Sequence, residues 1–235
     1  MKEIQLAQSL RHFISGILPS RCISCGSQSA TGYCRRCYLL LPRIVHRCYQ
    51  CGKVLTRTSR CGQCLNAPPP FKSSFIPFVY SPPVSAAIQK LKFHQNFAAG
   101  RALAEAFVES FESTAAHYPE VLVPIPLHSK RLRQRGFNQS LFLAKTIGLG
   151  LGISVDPHLL KRTRHTEPQS NLMEKQRKEN VKDAFALAFR PPGYGHIALV
   201  DDVVTSGNTV RAAAKILKRS GIHEISIWAI AKTRQ

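Results

Sequence analysis

The sequence predicts an α/β protein with a mostly parallel sheet, preceded by a small cysteine-rich region. Two observations lead to this prediction. Short apolar runs alternate with segments of helical periodicity after residue 70, and all eight cysteines lie between residues 22 and 64. Of the 235 residues, 44% are hydrophobic and 20% are charged, which is typical of a folded globular protein and excludes disordered and fibrous classes.

The elements can be predicted in chain order. Apolar residues from Ile4 to Leu18 recur at helical spacing and predict a short amphipathic helix, for packing or for weak contact with a membrane surface. Asn66-Ala67-Pro68-Pro69-Pro70 stops regular structure and stiffens the chain, so we predict one domain over residues 1–67 and a second over 68–235.

Strands and helices alternate in the second domain. This order favours a parallel sheet with helices on both faces and a ligand site at the carboxyl ends of its strands. The predicted elements are a strand at Ser74 to Tyr80, helices at Val84 to Phe93 and Phe97 to Phe111, a strand at Val121 to Leu127 with a loop after it, a helix at Gln139 to Ile147, a strand at Ile197 to Val200, a helix at Thr209 to Ser220 and a strand at Ile225 to Ile230.

The cysteines form four C-x-x-C pairs. In a chain kept in a reducing compartment such pairs are poor candidates for disulfides, whereas two pairs together match the four-sulfur shell of structural zinc. The sequential assignment gives two zinc ions, one held by Cys22, Cys25, Cys34 and Cys37 and the other by Cys48, Cys51, Cys61 and Cys64. An interleaved pairing, bound iron or a redox role for one pair are the alternatives.

The charge is strongly positive. Thirty-three Lys and Arg against 13 Asp and Glu give a formal net charge of +20, which favours a polyanionic partner. Cations and tyrosines are interleaved in the cysteine region, which suits phosphate contact and base stacking, although the tyrosines could equally pack the ribbons. Our candidate nucleic-acid contacts there and in the basic segment 127–164 are Arg35, Arg36, Arg47, Arg57, Arg133, Arg135 and Arg164.

An acidic pair follows the apolar strand at Ile197 to Val200. Asp201 and Asp202 precede a Thr-Ser-Gly loop that opens a helix near Thr209. Backbone amides at such a helix start can bind a phosphate, and Gly207 lets the ligand approach the backbone closely. Carboxylates repel phosphate, so the acidic pair suits sugar hydroxyls or a magnesium shell beside it.

This stretch resembles the phosphoribosyl-diphosphate signature of type I phosphoribosyltransferases. Further motifs, from Val123-Pro124-Ile125-Pro126 through Arg135-Gly136-Phe137-Asn138-Gln139 to Ala184-Phe185, resemble the ComF/GntX family, in which eight amino-terminal cysteines are usual. The resemblance implies a type I phosphoribosyltransferase-like sheet, with diphosphate on the loop after the Pro-Ile-Pro strand and a flexible hood at Thr166 to Asn180. The residues it assigns to the ligand are Asp201, Asp202, Val203, Thr205, Ser206, Gly207, Asn208, Thr209, His128, Ser129, Lys130 and Arg131.

The family resemblance implies a competence factor of natural transformation that binds incoming single-stranded DNA and carries a phosphoribosyl-diphosphate pocket, with magnesium accompanying that ligand. An active transferase on an unidentified base or amine is the alternative, in which Asp201, Asp202, Lys130 and Arg131 would suffice by positioning and charge stabilisation. A third interpretation is an adaptor that docks a DNA-uptake helicase or an inner-membrane channel protein. We expect a cytoplasmic location, with peripheral contact at the inner membrane as a variant, because the sequence shows neither a signal peptide nor a transmembrane run.

Overall fold

The computed structural model describes residues 20–112, 118–163 and 184–234. The predicted helix at Ile4 to Leu18, the hood at Thr166 to Asn180 and Arg164 lie outside these residues. Within them, no helix is long and apolar enough to cross a membrane.

A parallel sheet forms the centre of the protein. Its strands are β3 (Ser73–Phe75), β4 (Phe78–Val79), β5 (Val121–Pro124), β6 (Ser154–Val155), β9 (His196–Val204) and β10 (Glu224–Lys232), and their order is β3-β10-β9-β5-β6, with β4 also beside β10. The pairs are all parallel, so β9 has a parallel neighbour on each side. Because β9 is the central strand, its carboxyl end lies in the middle of the row of strand ends on that side of the sheet.

Helices cover both faces of the sheet, as predicted. On one face lie α3 (Val84–His94), α4 (Phe97–Glu112) and α6 (Gln139–Leu151), whose apolar residues share a core with Leu122, Val200 and Trp228. On the other face α7 (Asn208–Arg219) packs on Val123 and Leu199. Alternate residues of β5 and β9 enter opposite cores, because successive side chains of a strand point to opposite faces.

The cysteine region lies at the β3 edge of the sheet. It contains β1 (Ser20–Arg21), β2 (Gln28–Ser29), α1 (Arg35–Leu39) and α2 (Gly62–Asn66). Two backbone hydrogen bonds join this region to the strands at that edge: the Ser74 N–H donates to the Tyr49 carbonyl at 2.9 Å, and the Ile44 N–H donates to the Pro77 carbonyl at 2.8 Å. This contact covers an edge that would otherwise expose unpaired backbone groups.

Several differences from the sequence-based expectations concern the α/β part; one is that the short strand β6 was not predicted. The strand expected at Ser74 to Tyr80 is split into β3 and β4 around Ile76-Pro77. The loop expected after the Pro-Ile-Pro strand contains a short helix, α5 (Ser129–Arg135). His128 is its N-cap, and the Nδ1 atom of His128 accepts from the Lys130 N–H at 3.2 Å. An antiparallel pair, β7 (Leu160–Arg162) and β8 (Phe185–Leu187), was not predicted.

Candidate active site and metal centres

The acidic pair lies within the last four residues of strand β9 rather than after the strand. Asp202 is only 3% exposed, and Asp201 is partly buried. The Oδ1 atom of Asp201 accepts from the Ser140 hydroxyl at 3.0 Å and from the Asp202 N–H at 2.9 Å. Burial, together with the neighbouring charge of Asp202, raises the pKa of the Asp201 carboxyl to about 7. The strand end therefore carries two adjacent carboxyl groups, of which Asp201 has a raised pKa.

Lys92 of α3 forms an ion pair with Asp202. Its Nζ contacts Asp202 Oδ2, and the lysine side chain is 20% exposed. A buried carboxylate needs such a partner because an unpaired buried charge is costly. The sequence analysis missed Lys92, whose surroundings show only ordinary amphipathic periodicity.

Two arginines, Arg135 and Arg162, sense the charges of the acidic pair, and Arg131 lies near both of them. Burial lowers the pKa values of Arg131, Arg135 and Arg162, while the charge of Asp202 acts against this lowering at Arg135 and that of Asp201 does so at Arg162. The predicted diphosphate contact Arg131 is therefore close enough to Arg162 to affect it. Partly buried guanidinium groups next to carboxylates can bind a phosphate ester whose sugar contacts the acids.

The loop after β9 has the form of a phosphate-binding turn. Gly207 has a φ of 79° and precedes the first residue of α7, a left-handed conformation that glycine adopts without strain. Five residues predicted for the ligand line a shallow open cleft at this strand end, with an empty volume of about 180 Å³ including its open mouth, namely Asp201, Val203, Thr205, Gly207 and Thr209. This geometry places Asp201 beside the loop and the start of α7.

Ser206 lies in a different cleft, between this loop and the second half of the cysteine region. The cleft has an empty volume of about 390 Å³ including its open mouth, and Cys51, Ser74 and Lys232 also line it. Ser206 Oγ is buried and has no hydrogen-bond partner among the described residues. The predicted contact of Ser206 with a 5-phosphate therefore rests on the motif alone.

Lys232, the last residue of β10, bonds to the loop that follows β9. Its side chain is 3% exposed, and its Nζ donates to the Thr205 carbonyl at 2.8 Å. Burial lowers the pKa of Lys232, and the nearby Cys51 thiol partly opposes this. The lysine therefore lies between the phosphate-binding turn and the second group of cysteines.

The eight cysteines form two groups of four. The groups are the sequential quartets, and within each of them the Sγ atoms lie within 4.8 Å of one another. The Cys25–Cys34 and Cys51–Cys61 Sγ separations are both 3.7 Å. A tetrahedral zinc ion with Zn–S bonds of about 2.3 Å requires about 3.8 Å between sulfurs, so both groups fit the ion.

Backbone amides favour the thiolate form of the first cysteine of each quartet. Burial raises the pKa of the Cys48 thiol, but N–H groups of Cys51, Cys61 and Gln50 outweigh it and lower the pKa to about 7. The Cys61 N–H lies 3.4 Å from Cys48 Sγ. Four close thiols of this kind hold a divalent cation without leaving a coordination position for water, so zinc here would stabilise structure.

The tyrosines and arginines of the cysteine region divide into buried and exposed groups. Tyr33 and Tyr38 are buried against α4, where the Tyr38 hydroxyl is 3.2 Å from that of Ser110, so packing explains both. Tyr49 is 50% exposed. Arg47 packs over the Phe75 ring at 5.3 Å. The candidate nucleic-acid contacts that remain exposed are Arg35, Arg36, Arg57 and Arg133.

These features define a class of protein in which a double zinc ribbon is joined to a parallel α/β sheet with an acidic pair at a strand end. The family model for a double zinc ribbon domain matches residues 13–65. The DNA utilization protein YhgH of Salmonella typhimurium is 35% identical over 86% of this chain and 91% of its own length. Competence protein F of Haemophilus influenzae is 33% identical over 90% of this chain and 96% of its own. The chain therefore belongs to the ComF/GntX family, as the motifs predict.

Two more distant matches complete the comparison. Competence protein ComFC of Bacillus subtilis is 28% identical over 80% of this chain and 78% of its own length. An adenine phosphoribosyltransferase structure from Leishmania donovani covers 60% of this chain and 68% of its own, with 12% identity and a TM-score of 0.32. The latter similarity is too low to support an argument about function.

Proposed function

We propose that this protein is a cytosolic factor of DNA uptake that binds incoming single-stranded DNA and carries a pocket for phosphoribosyl diphosphate. The observation that supports this proposal most is the similarity to competence protein F along 90% of the chain. Exposed arginines at the ribbons and on α5 supply phosphate contacts, which give affinity without sequence specificity. We also propose that the chain divides into one domain over residues 1–67 and a second over 68–235, because the proline-rich segment at 66–70 stops regular structure.

The pocket would hold the sugar phosphate at the end of β9. Asp201 and Asp202 would accept hydrogen bonds from ribose hydroxyls, the amides at the start of α7 would bind the 5-phosphate, and Lys130 and Arg131 would lie near the diphosphate. Magnesium would accompany the diphosphate, as it does with most polyphosphate ligands. The two zinc ions would stabilise the ribbons.

A transferase is the second candidate function. Lys92 pairs with Asp202, while Arg135 and Arg162 sense the charges of the acidic pair, so cations near this strand end would stabilise a departing diphosphate. Its acceptor would be an unidentified base or amine.

Binding of single-stranded DNA over a salt series, with and without phosphoribosyl diphosphate and magnesium, tests the proposal. We expect affinity to rise as salt falls, and to respond to phosphoribosyl diphosphate in the wild type but not in a variant with Asp201→Asn and Asp202→Asn. Glu224→Gln, an acid paired with Lys72 at the amino end of β10, is the matched control, because Lys72 is not among the candidate nucleic-acid contacts. Absence of DNA binding together with diphosphate release on adding bases would favour the transferase, and binding of a helicase or channel protein instead of DNA would favour the adaptor.

A further inference from the structure

Two phenylalanines are unusually exposed at the corner between α3 and α4. Phe93 is 69% exposed near the end of α3, and Phe97 is 44% exposed at the start of α4. Phe137, which follows α5, lies beside Phe97, with 5.1 Å between the two ring centroids. We name Phe93, Phe97 and Phe137 the aromatic ledge.

Contacts at this corner fix the turn between α3 and α4 and the rings of Phe97 and Phe137. Gln95 turns the chain between α3 and α4 with a φ of 49°, and its side-chain amide donates to the Arg135 carbonyl at 3.2 Å. Asn96 caps α4 by accepting from the Ala99 N–H at 2.9 Å. The Phe97 ring also packs against Phe142 of α6 at 5.2 Å. Rings fixed in this way lose little conformational freedom when a ligand stacks on them.

The ledge adjoins the acidic pair. Phe93 follows Lys92, the ion-pair partner of Asp202. The Arg135 guanidinium lies 5.5 Å from the Phe93 ring centroid and senses the charge of Asp202. One arginine therefore connects an exposed aromatic ring to the strand end where the sugar phosphate would bind.

Cations flank these rings on the same elements. Lys90 on α3, Arg101 on α4, and Lys130 and Arg133 on α5 are exposed. Exposed rings bordered by cations are the combination by which proteins bind single-stranded nucleic acid, because bases stack on the rings while phosphates contact the charges. The rings of Phe93 and Phe97 are open to solvent rather than enclosed, which suits a nucleic-acid strand better than a single small acceptor.

We propose that the aromatic ledge stacks bases of single-stranded nucleic acid and so places a strand directly beside the sugar-phosphate pocket. This inference rests on the proposed DNA-binding function, but it assigns the base contacts to the α/β part of the chain. The ribbons would then contribute mainly phosphate contacts, since Tyr33 and Tyr38 are buried.

The test compares two strands of about 15 nucleotides, oligothymidylate and an abasic sugar-phosphate strand of equal length. Fluorescence anisotropy with the intact, zinc-loaded protein should show that the wild type prefers the strand with bases. We expect Phe93→Leu with Phe97→Leu to weaken oligothymidylate binding at least about fivefold while leaving abasic binding unchanged. Phe93→Trp should retain the preference, and Phe189→Leu, at a ring 46% exposed after β8, is the matched control.

Each other outcome has a distinct meaning. If the double variant lost affinity equally for both oligonucleotides, or lost none, base stacking on the aromatic ledge would be contradicted. The proposal that this protein binds DNA would not be affected by that result. Loss of the preference only in Tyr49→Leu would place stacking on the second ribbon and also contradict stacking on the aromatic ledge. If the double variant lost only diphosphate release with free bases, the ledge would be an acceptor site instead. Failure of the wild type to bind either strand would refute the proposed function itself.

Discussion

Lys92 on α3 neutralises the carboxylate of Asp202 on β9, and this ion pair fixes one helix against the strand end that carries the acidic pair. We expect Lys92→Met to reduce the free energy of unfolding by about 1 to 3 kcal/mol, because it leaves a buried carboxylate without its partner. Urea denaturation measures the change. Lys90→Met, at an exposed position of the same helix, should have almost no effect, and equal losses in both variants would contradict the argument.

The raised pKa of Asp201 predicts a pH-dependent stability. Because the folded protein holds the Asp201 proton up to a pH of about 7, whereas the unfolded chain releases it near 4, this group's contribution to stability falls as the pH rises between these values. Asp201→Asn should therefore be more stable than the wild type at pH 8, with a smaller gain at pH 5; each pKa unit corresponds to roughly 1.4 kcal/mol. Urea denaturation at both pH values tests this, and a gain independent of pH would contradict it.

Lys232 should affect ligand binding without touching the ligand. Lys232→Met removes the donor to the Thr205 carbonyl but keeps a similar apolar volume, so the phosphate-binding turn would lose one of its supports. We expect about a three- to tenfold loss of affinity for phosphoribosyl diphosphate, equivalent to a lost hydrogen bond of about 1 kcal/mol. Calorimetric titration measures it. Lys218→Met removes a comparable bond from an exposed lysine to the His223 carbonyl and should leave affinity unchanged.

Gly32 should be intolerant of alanine because the first ribbon lies directly on α4. A Cβ at Gly32 would overlap Cα and Cβ of Ala102, and the Gly32 N–H donates to Glu105 Oε2 at 2.8 Å. We expect Gly32→Ala to destabilise the protein by about 1 to 3 kcal/mol in thermal or urea unfolding. Gly62→Ala is the control, since a Cβ there meets no atom within 4 Å.

The two zinc ions should leave at different rates. Cys25 is exposed and only Cys22 of the first quartet is buried, whereas Cys48, Cys61 and Cys64 of the second quartet are all buried. A coloured chelator should therefore release two zinc ions per chain in a fast and a slow phase. We expect Cys25→Ser to remove the fast phase and Cys48→Ser the slow one; a single phase from the wild type would contradict this order.

Local patterns made much of this architecture predictable. The cysteine pairs and the Asp201-Asp202 loop are short segments whose chemistry depends on neighbours in sequence. The cysteines form the two sequential groups as predicted, and Asp201 lies beside Thr205, Gly207 and Thr209. The predicted bounds of α3 and α4 agree with the observed bounds to within one residue, because the apolar spacing of these helices is regular. The family was also predictable, since its motifs are distributed over most of the chain.

Tertiary contacts decided what could not be predicted. Lys92 meets Asp202 only because α3 packs across β9, and its own sequence neighbourhood is that of any amphipathic helix. The sequence pattern around Tyr33 and Tyr38 fits a base-stacking surface, but both side chains are buried against α4, which is far from them in sequence. The strands β7 and β8 have three residues each, too few for a periodic pattern to show.

The position of β10 has a consequence for synthesis of the protein. This strand covers Glu224–Lys232 but lies between β3 and β9, so β3 gains its parallel neighbour only when residues far along the chain have left the ribosome. Contacts so distant in sequence slow folding and prolong exposure of apolar strands. The ribbons, whose ligands lie within about 40 residues of one another, can bind metal much earlier, so a nascent chain would carry folded ribbons before its sheet closes.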